Sequence, residues 1–217
     1  MTLAPSLIET VRVMDGRAPL WPLHQARLER SAEALGMHLP EILRPEGGED
    51  RVVRIEVSEG RVLVSDREVG GTAPLALYTS PAPHRGYSHK TTDRAWLEAA
   101  RMTAGHFEAD DALMLDSAGR VIEATIWAIS WWDGETLVFP PLALGGLPSV
   151  ARARLAETVR GGVKEAAVSR EQLRGVALLA CNAARGVVSV AALDDDGVPA
   201  NHRTLALARR FWARRDA

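Results

Sequence analysis

Three times in this chain, two short runs of alternating or β-branched apolar residues flank a glycine-bearing turn, and no other feature constrains the fold as much. VVRIEVSEGRVLVSD turns at Glu59-Gly60, ALMLDSAGRVIEAT at Ser117-Ala118-Gly119, and AISWWDGETLVFPP at Asp133-Gly134. Each reads as a β-hairpin, because period-two alternation suits a strand with one buried face and glycine supplies the turn. Further strands are expected at residues 7–14 (LIETVRVM) and in LALYTSP, VALLACNA and VVSVAALD. Helical spacing predicts a helix over 22–36, with Leu23, Ala26, Leu28, Ala32 and Leu35 apolar and Gly36 as its stop. Other helices are expected in RAWLEAARMTAGHF, from about Ser149 to Glu165, briefly near Arg170, and from about Thr204 onward. LPEILRPEGGED reads as a loop or short helix. The stretch SPAPHRGYSH breaks the pattern and is the candidate boundary between a small N-terminal α/β lobe, 1–82, and a larger lobe, 83–217, of mixed β-structure and helices. The expected class is therefore α+β, in two lobes.

Composition narrows the function by exclusion. With 47% hydrophobic residues, 25% charged and a net charge of -2, the chain has the balance of an ordinary globular protein, which gives no reason to expect nucleic acid or a membrane surface as partner. The longest apolar runs fall far short of a membrane span, and MTLAPSLIETVRV lacks the basic and apolar regions of a secretory signal. A single cysteine, Cys181, excludes an internal disulfide and fits a reducing cytoplasm. The histidines are scattered without metal-ligand spacing, so no metal is expected.

Lysine usage is the sharper clue. Lys90 and Lys164 are the only lysines among 26 Lys and Arg residues. Lys90, in SHKTTDR, is either a survivor of a bias toward arginine or a residue whose chemistry arginine cannot supply. A guanidinium stays protonated, whereas a desolvated lysine can become a neutral, nucleophilic amine.

The motifs ET-R, H-ARL--SA, HKTTDR, DALMLD-AGRVIEAT, PPL--GGLPSVAR and CNAARGVVSV stand in that order from about Ile8 to Val190. Together they resemble the class IV pyridoxal-phosphate enzymes, and within them most closely the aminodeoxychorismate lyases. Branched-chain and D-amino-acid aminotransferases are more distant relatives. The resemblance implies the two-lobed fold-type IV architecture, a homodimer, pyridoxal 5'-phosphate held between the lobes, and a small-molecule substrate. It makes Lys90 the lysine that binds the cofactor and then acts as general base. Glu123 becomes the carboxylate facing the pyridine nitrogen, and its neighbours Val121, Ile122 and Ala124 favour an interior position. Arg27 matches the phosphate-binding arginine, with Arg30 along nearly the same helix face and His24 one turn before as a packing or supporting residue.

In GGLPSVAR a helix start offers backbone N–H groups to a phosphate. Ser149 and Ala151 stand there where relatives often have Gly and Thr, leaving the amides of Val150 and Ala151 to serve. Asn182 and Ala183 match a second position on the phosphate or substrate side. Arg85, Tyr87, Arg94 and Arg185 are candidate substrate-carboxylate ligands by their place near the motifs. After Glu123 the family usually continues to an asparagine, whereas here the chain reads Thr125-Ile126-Trp127, which is expected to remove polar support beside the cofactor ring. Trp131 and Trp132 are expected in the core, with a subunit interface as the alternative. The resulting expectation is a lyase that makes 4-aminobenzoate and pyruvate for folate synthesis, with an aminotransferase or a non-catalytic relative as alternatives.

Overall fold

The computed structural model describes residues 5–213; the first residues of the stretch read for a secretory signal lie outside them. β1 (Leu7–Val13) is followed by α1 (Trp21–Ala34), then by the hairpin of β2 (Arg51–Ser58) and β3 (Arg61–Arg67). The three strands form an antiparallel sheet in the order β1-β2-β3. Its buried side chains Val11, Val13, Val53, Ile55 and Val57 meet Trp21, Leu28 and Ala32 of α1. The buried stripe of α1 also carries His24, Arg27 and Ser31. Polar groups on a buried face cost free energy unless they are paired, so this stripe marks a site as well as a core. LPEILRPEGGED forms no helix.

The rest of the chain builds a nine-stranded sheet. In chain order its elements are β4 (Leu75–Thr79), α2 (Ala95–His106), β5 (Asp111–Leu115), β6 (Val121–Ala124), β7 (Ala128–Asp133), β8 (Thr136–Phe139), α3 (Val150–Thr158), β9 (Val163–Glu165), β10 (Leu178–Asn182), β11 (Gly186–Leu193), β12 (Asp196–Gly197) and α4 (His202–Phe211). The strand order is β6-β5-β4-β11-β10-β7-β8-β9, with β12 beside β11. Alternation divides the sheet into two cores. Ile129, Trp131, Leu178 and Ala180 face one cluster, while Leu179 and Cys181 face another, closed by Leu155 of α3 and Leu207 and Phe211 of α4. Trp131 is core as expected; Trp132 is half-buried against the second cluster, and its indole N–H donates to Thr204 Oγ1 at 3.1 Å. No helix among the described residues is long and apolar enough to cross a membrane.

Two expected boundaries move. β4 pairs in parallel with β5 and β11, so sheet membership changes within 68–74 rather than in the SPAPHRGYSH stretch. The helix expected to run to Glu165 ends at Thr158, and Gly161-Gly162 turns the chain into β9, parallel to β8. A Cβ at Gly161 would stand 2.2 Å from the carbonyl oxygen of Glu135, so only glycine lets the backbones pass at this distance.

Candidate active site

A cavity of about 460 Å³ lies between the two sheets. Thr10, Arg27 and Arg54 line it from the small lobe; Lys90, Glu123 and Ser149 line it from the large one.

Lys90 sits in an irregular segment that both lobes hold. Its carbonyl accepts from Ile8 N–H at 2.8 Å, Thr92 N–H donates to Ser6 O at 2.9 Å, and Leu7 pairs with Thr91 as an isolated β-bridge. Tyr87 clamps the same segment: its hydroxyl donates to Thr91 O at 2.7 Å and accepts from Thr91 N–H at 2.9 Å. No carboxylate among the described residues lies within 4 Å of the Lys90 amine. Burial, then the charges of Arg27 and Arg94, lower its pKa to about 7, against the opposing charges of Glu9 and Glu123. Position and neighbours thus make this lysine an amine that is neutral part of the time near neutral pH.

Glu123 lies on β6, a strand buried along its whole length. Its Oε1 is 3.0 Å from His84 Nε2, and its Oε2 accepts from Leu147 N–H at 3.1 Å. Gly86 N–H donates to His84 Nδ1 at 3.0 Å, so in the neutral ring the proton is on Nε2 and points at Glu123. The His84 ring also packs edge-on against Trp96. The carboxylate is therefore held by two donors, the His84 ring and the Leu147 amide.

Arg27 faces the cavity but is already paired. Its Nε donates to Glu9 Oε1 at 2.7 Å and a second nitrogen to Glu9 Oε2 at 2.5 Å, while its remaining nitrogen lies 3.5 Å from Pro148 O. Burial raises the Glu9 pKa, but Arg27 and His24 outweigh that and hold it at about 2. Burial, opposed by the Glu9 carboxylate, pushes the His24 pKa below its ordinary value. Its Nδ1–H donates to Glu9 Oε2 at 2.6 Å and its Nε2 has no partner, which a neutral ring tolerates better than a bare N–H of the cation. This group of three locks the angle at which α1 presents Arg27. Its neighbour Arg30 is exposed and does not line the cavity.

At the start of α3, the Ser149 hydroxyl caps the helix by accepting from Arg152 N–H at 3.4 Å. The N–H groups of Val150 and Ala151 are left without intrahelical acceptors. Ser149 and Val150 line the cavity; the Ala151 side chain lies in the core instead. Asn182 also lines it, but its Oδ1 brackets the turn after β10, accepting from Ala184 N–H and Arg185 N–H at 3.1 and 2.8 Å. Ala183 and Arg185 line the cavity, as does Arg94; Arg85 is exposed and does not. Tyr87 lines it with its hydroxyl already engaged, so it orders the Lys90 segment rather than offering a free ligand.

The support expected to be lost after Glu123 comes from elsewhere. Buried Asp111 accepts from the Thr125 hydroxyl and from Ile126 N–H, and Asn182 Nδ2 donates to Ile126 O at 3.4 Å. Glu9 and Asp111 stand in the ET-R and DALMLD motifs but carry no role in the sequence reading, which does not single out His84 at all. Glu9 left a second signal, a carboxylate within the apolar run of β1; His84 lay inside the stretch read as a boundary.

The sequence profile described as amino-transferase class IV matches residues 68–193. A Legionella pneumophila protein provisionally assigned as a 4-amino-4-deoxychorismate lyase superposes with a TM-score of 0.81 at 21% identity, covering 95% of this chain and 91% of that one. A second protein with the same provisional assignment gives 0.80 at 25% identity, with 95% and 89% covered. A hypothetical aminotransferase from Mycobacterium tuberculosis, in a PLP-bound form, gives 0.83 at 20% identity over 95% and 87%. These neighbours share the fold-type IV architecture. No curated protein sequence matches the chain.

Proposed function

The chain belongs to the class IV amino-transferase family, whose cofactor is pyridoxal phosphate, and on that premise we propose that it is an aminodeoxychorismate lyase, releasing 4-aminobenzoate and pyruvate. The observation that carries the cofactor-dependent chemistry of this reading is the unpaired Lys90 amine, with a pKa of about 7, in one cavity with a buried Glu123 held by two donors. The residues fit the cofactor. Lys90 would bind its aldehyde carbon, Glu123 would face its ring nitrogen, and Arg27 with the first-turn amides of α3 would take its phosphate. When bound, the cofactor supplies an electron sink for a bond broken at the amine-bearing carbon.

An amine whose pKa lies near the working pH can both accept and return a proton. In the proposed reaction Lys90 Nζ takes the proton from the aminated ring carbon. The bond from the ring to the enolpyruvyl oxygen breaks as the ring becomes aromatic, and the proton is delivered to the methylene carbon, so that the fragment leaves as pyruvate. Elimination is favoured by the closer match of HKTTDR, GGLPSVAR and CNAARG to the lyase branch of the family. An aminotransferase would use the same residues, and the M. tuberculosis relative described in an alpha-ketoglutarate and PMP bound form favours that second reading. The same premise implies a homodimer acting on a small molecule, and the single cysteine suits a reducing cytoplasm.

The test is turnover of aminodeoxychorismate with no oxo-acid present. The expected result is 4-aminobenzoate and pyruvate in equal amounts, with no detectable product from Lys90→Arg, since a guanidinium cannot replace the amine. Consumption of leucine or D-alanine that requires an acceptor, with aminodeoxychorismate untouched, would transfer the assignment to an aminotransferase. Cofactor binding with neither activity would favour the non-catalytic alternative.

A further inference from the structure

Three arginines at the cavity take no part in the chemistry above. Arg67 ends β3, Arg101 lies on α2 and Arg185 closes the turn between β10 and β11; all three line the cavity. Arg67 and Arg101 are exposed, whereas Arg185 is half-buried, its guanidinium 4.2 Å from the centroid of the Trp127 ring. Gly70 leaves room for it, since a Cβ there would come within 3.0 Å of Arg185 Cδ. The other arginines of the cavity are balanced by the protein: Arg27 by Glu9, Arg54 by Glu56 and Arg94 by Glu98. Among the described residues, Arg67, Arg101 and Arg185 have no carboxylate within 4 Å. The acids whose field reaches Arg185 are engaged elsewhere. Asp110 accepts from Ala76 N–H, and Asp111 holds Ala112, Thr125 and Ile126. Burial first, and then the charges of Arg101 and Arg67, lower the proton affinity of Arg185. Three mutually repelling cations from three elements are thus brought together without a protein counter-ion, and one of them is desolvated and fixed by stacking.

We propose that Arg67, Arg101 and Arg185 form the site for a substrate carboxylate remote from the reacting amine, so that the enzyme selects dianionic substrates. The inference rests on the reading of the cavity as a substrate site and supplies its specificity. A planar carboxylate matches the guanidinium fork, and the candidate phosphate site lies elsewhere, at Arg27 and the start of α3. Aminodeoxychorismate carries two carboxylates, neither on its aminated carbon, and so would engage this cluster through a group distant from Lys90.

The experiment titrates the cofactor-loaded protein calorimetrically with benzene-1,3-dicarboxylate and with benzoate, for the parent, the exposed-site double variant Arg67→Gln/Arg101→Gln, and Arg185→Gln. The dicarboxylate is expected to bind the parent roughly tenfold or more tightly than benzoate, as charge-assisted contacts of this kind allow. Both variants should lose most of that difference. Arg67→Gln/Arg101→Gln tests the site even if Arg185→Gln folds poorly. Equal binding of the two acids by the parent, or an undiminished preference in the double variant, would overturn the proposal. The readout does not depend on the reaction: selectivity without lyase turnover leaves the cluster standing and removes the lyase, whereas lyase turnover with an unaltered KM in the double variant does the reverse.

Discussion

At the scale of single residues, the cost of making Lys90 reactive should be measurable in the absence of any substrate. In the unfolded chain its pKa is near the ordinary 10.5, and in the folded protein it is about 7. Between those values the unfolded state binds a proton that the folded state does not, so this residue makes stability rise with pH across that window. Below pH 7 both states are protonated and its contribution no longer changes. The urea midpoint of the cofactor-free protein, followed from pH 7 to 10, should therefore rise relative to that of Lys90→Met; a constant gap between the two would contradict the burial argument. Lysine rarity pointed to this residue. The surroundings that tune it did not show, because Arg27 and Arg94 reach it only through the fold.

Among the elements, the hairpins were legible because each is a local event: β2–β3, β5–β6 and β7–β8 close across turns of a few residues. The parallel pairings of β4 with β5 and β11, and of β8 with β9, join distant segments and leave no local signature. That is why the change of sheet was expected too late and α3 too long. The signal at α3 was present in Gly161-Gly162, but its cause, the carbonyl of Glu135, sits in another turn. Gly161→Ala should lower stability by about 1–3 kcal/mol, the usual cost of overpacking, and the melting temperature by several degrees. Cofactor affinity should not change, because the turn lies outside the cavity lining. Thermal melts with a cofactor titration would check both. The site divides in the same way. Lys90, Glu123 and Arg27 take their roles from ordered motifs, whereas His84 lies outside them and Glu9, though part of ET-R, takes its role from partners on another element.

For the whole molecule, the decisive feature is that the cavity wall is shared. The Lys90 segment is hydrogen-bonded to β1, Arg27 reaches Pro148 just before α3, and the Glu9 carboxylate that holds Arg27 belongs to the small sheet. Separating the lobes would expose a buried ion pair and undo the backbone bonds that fix Lys90. The two sheets should therefore unfold together despite their separate cores. A ligand bound across the joint stabilises the native state by mass action, about 2.7 kcal/mol at a concentration a hundred times its Kd. For a chain of this size that corresponds to a rise of roughly 5–10 °C in Tm. Calorimetry should show one transition that moves as a unit when pyridoxal phosphate is added. Two transitions, with only one moving, would mean that the cofactor is held by a single lobe and that the contacts at Ile8, Arg27 and Pro148 do not couple the halves.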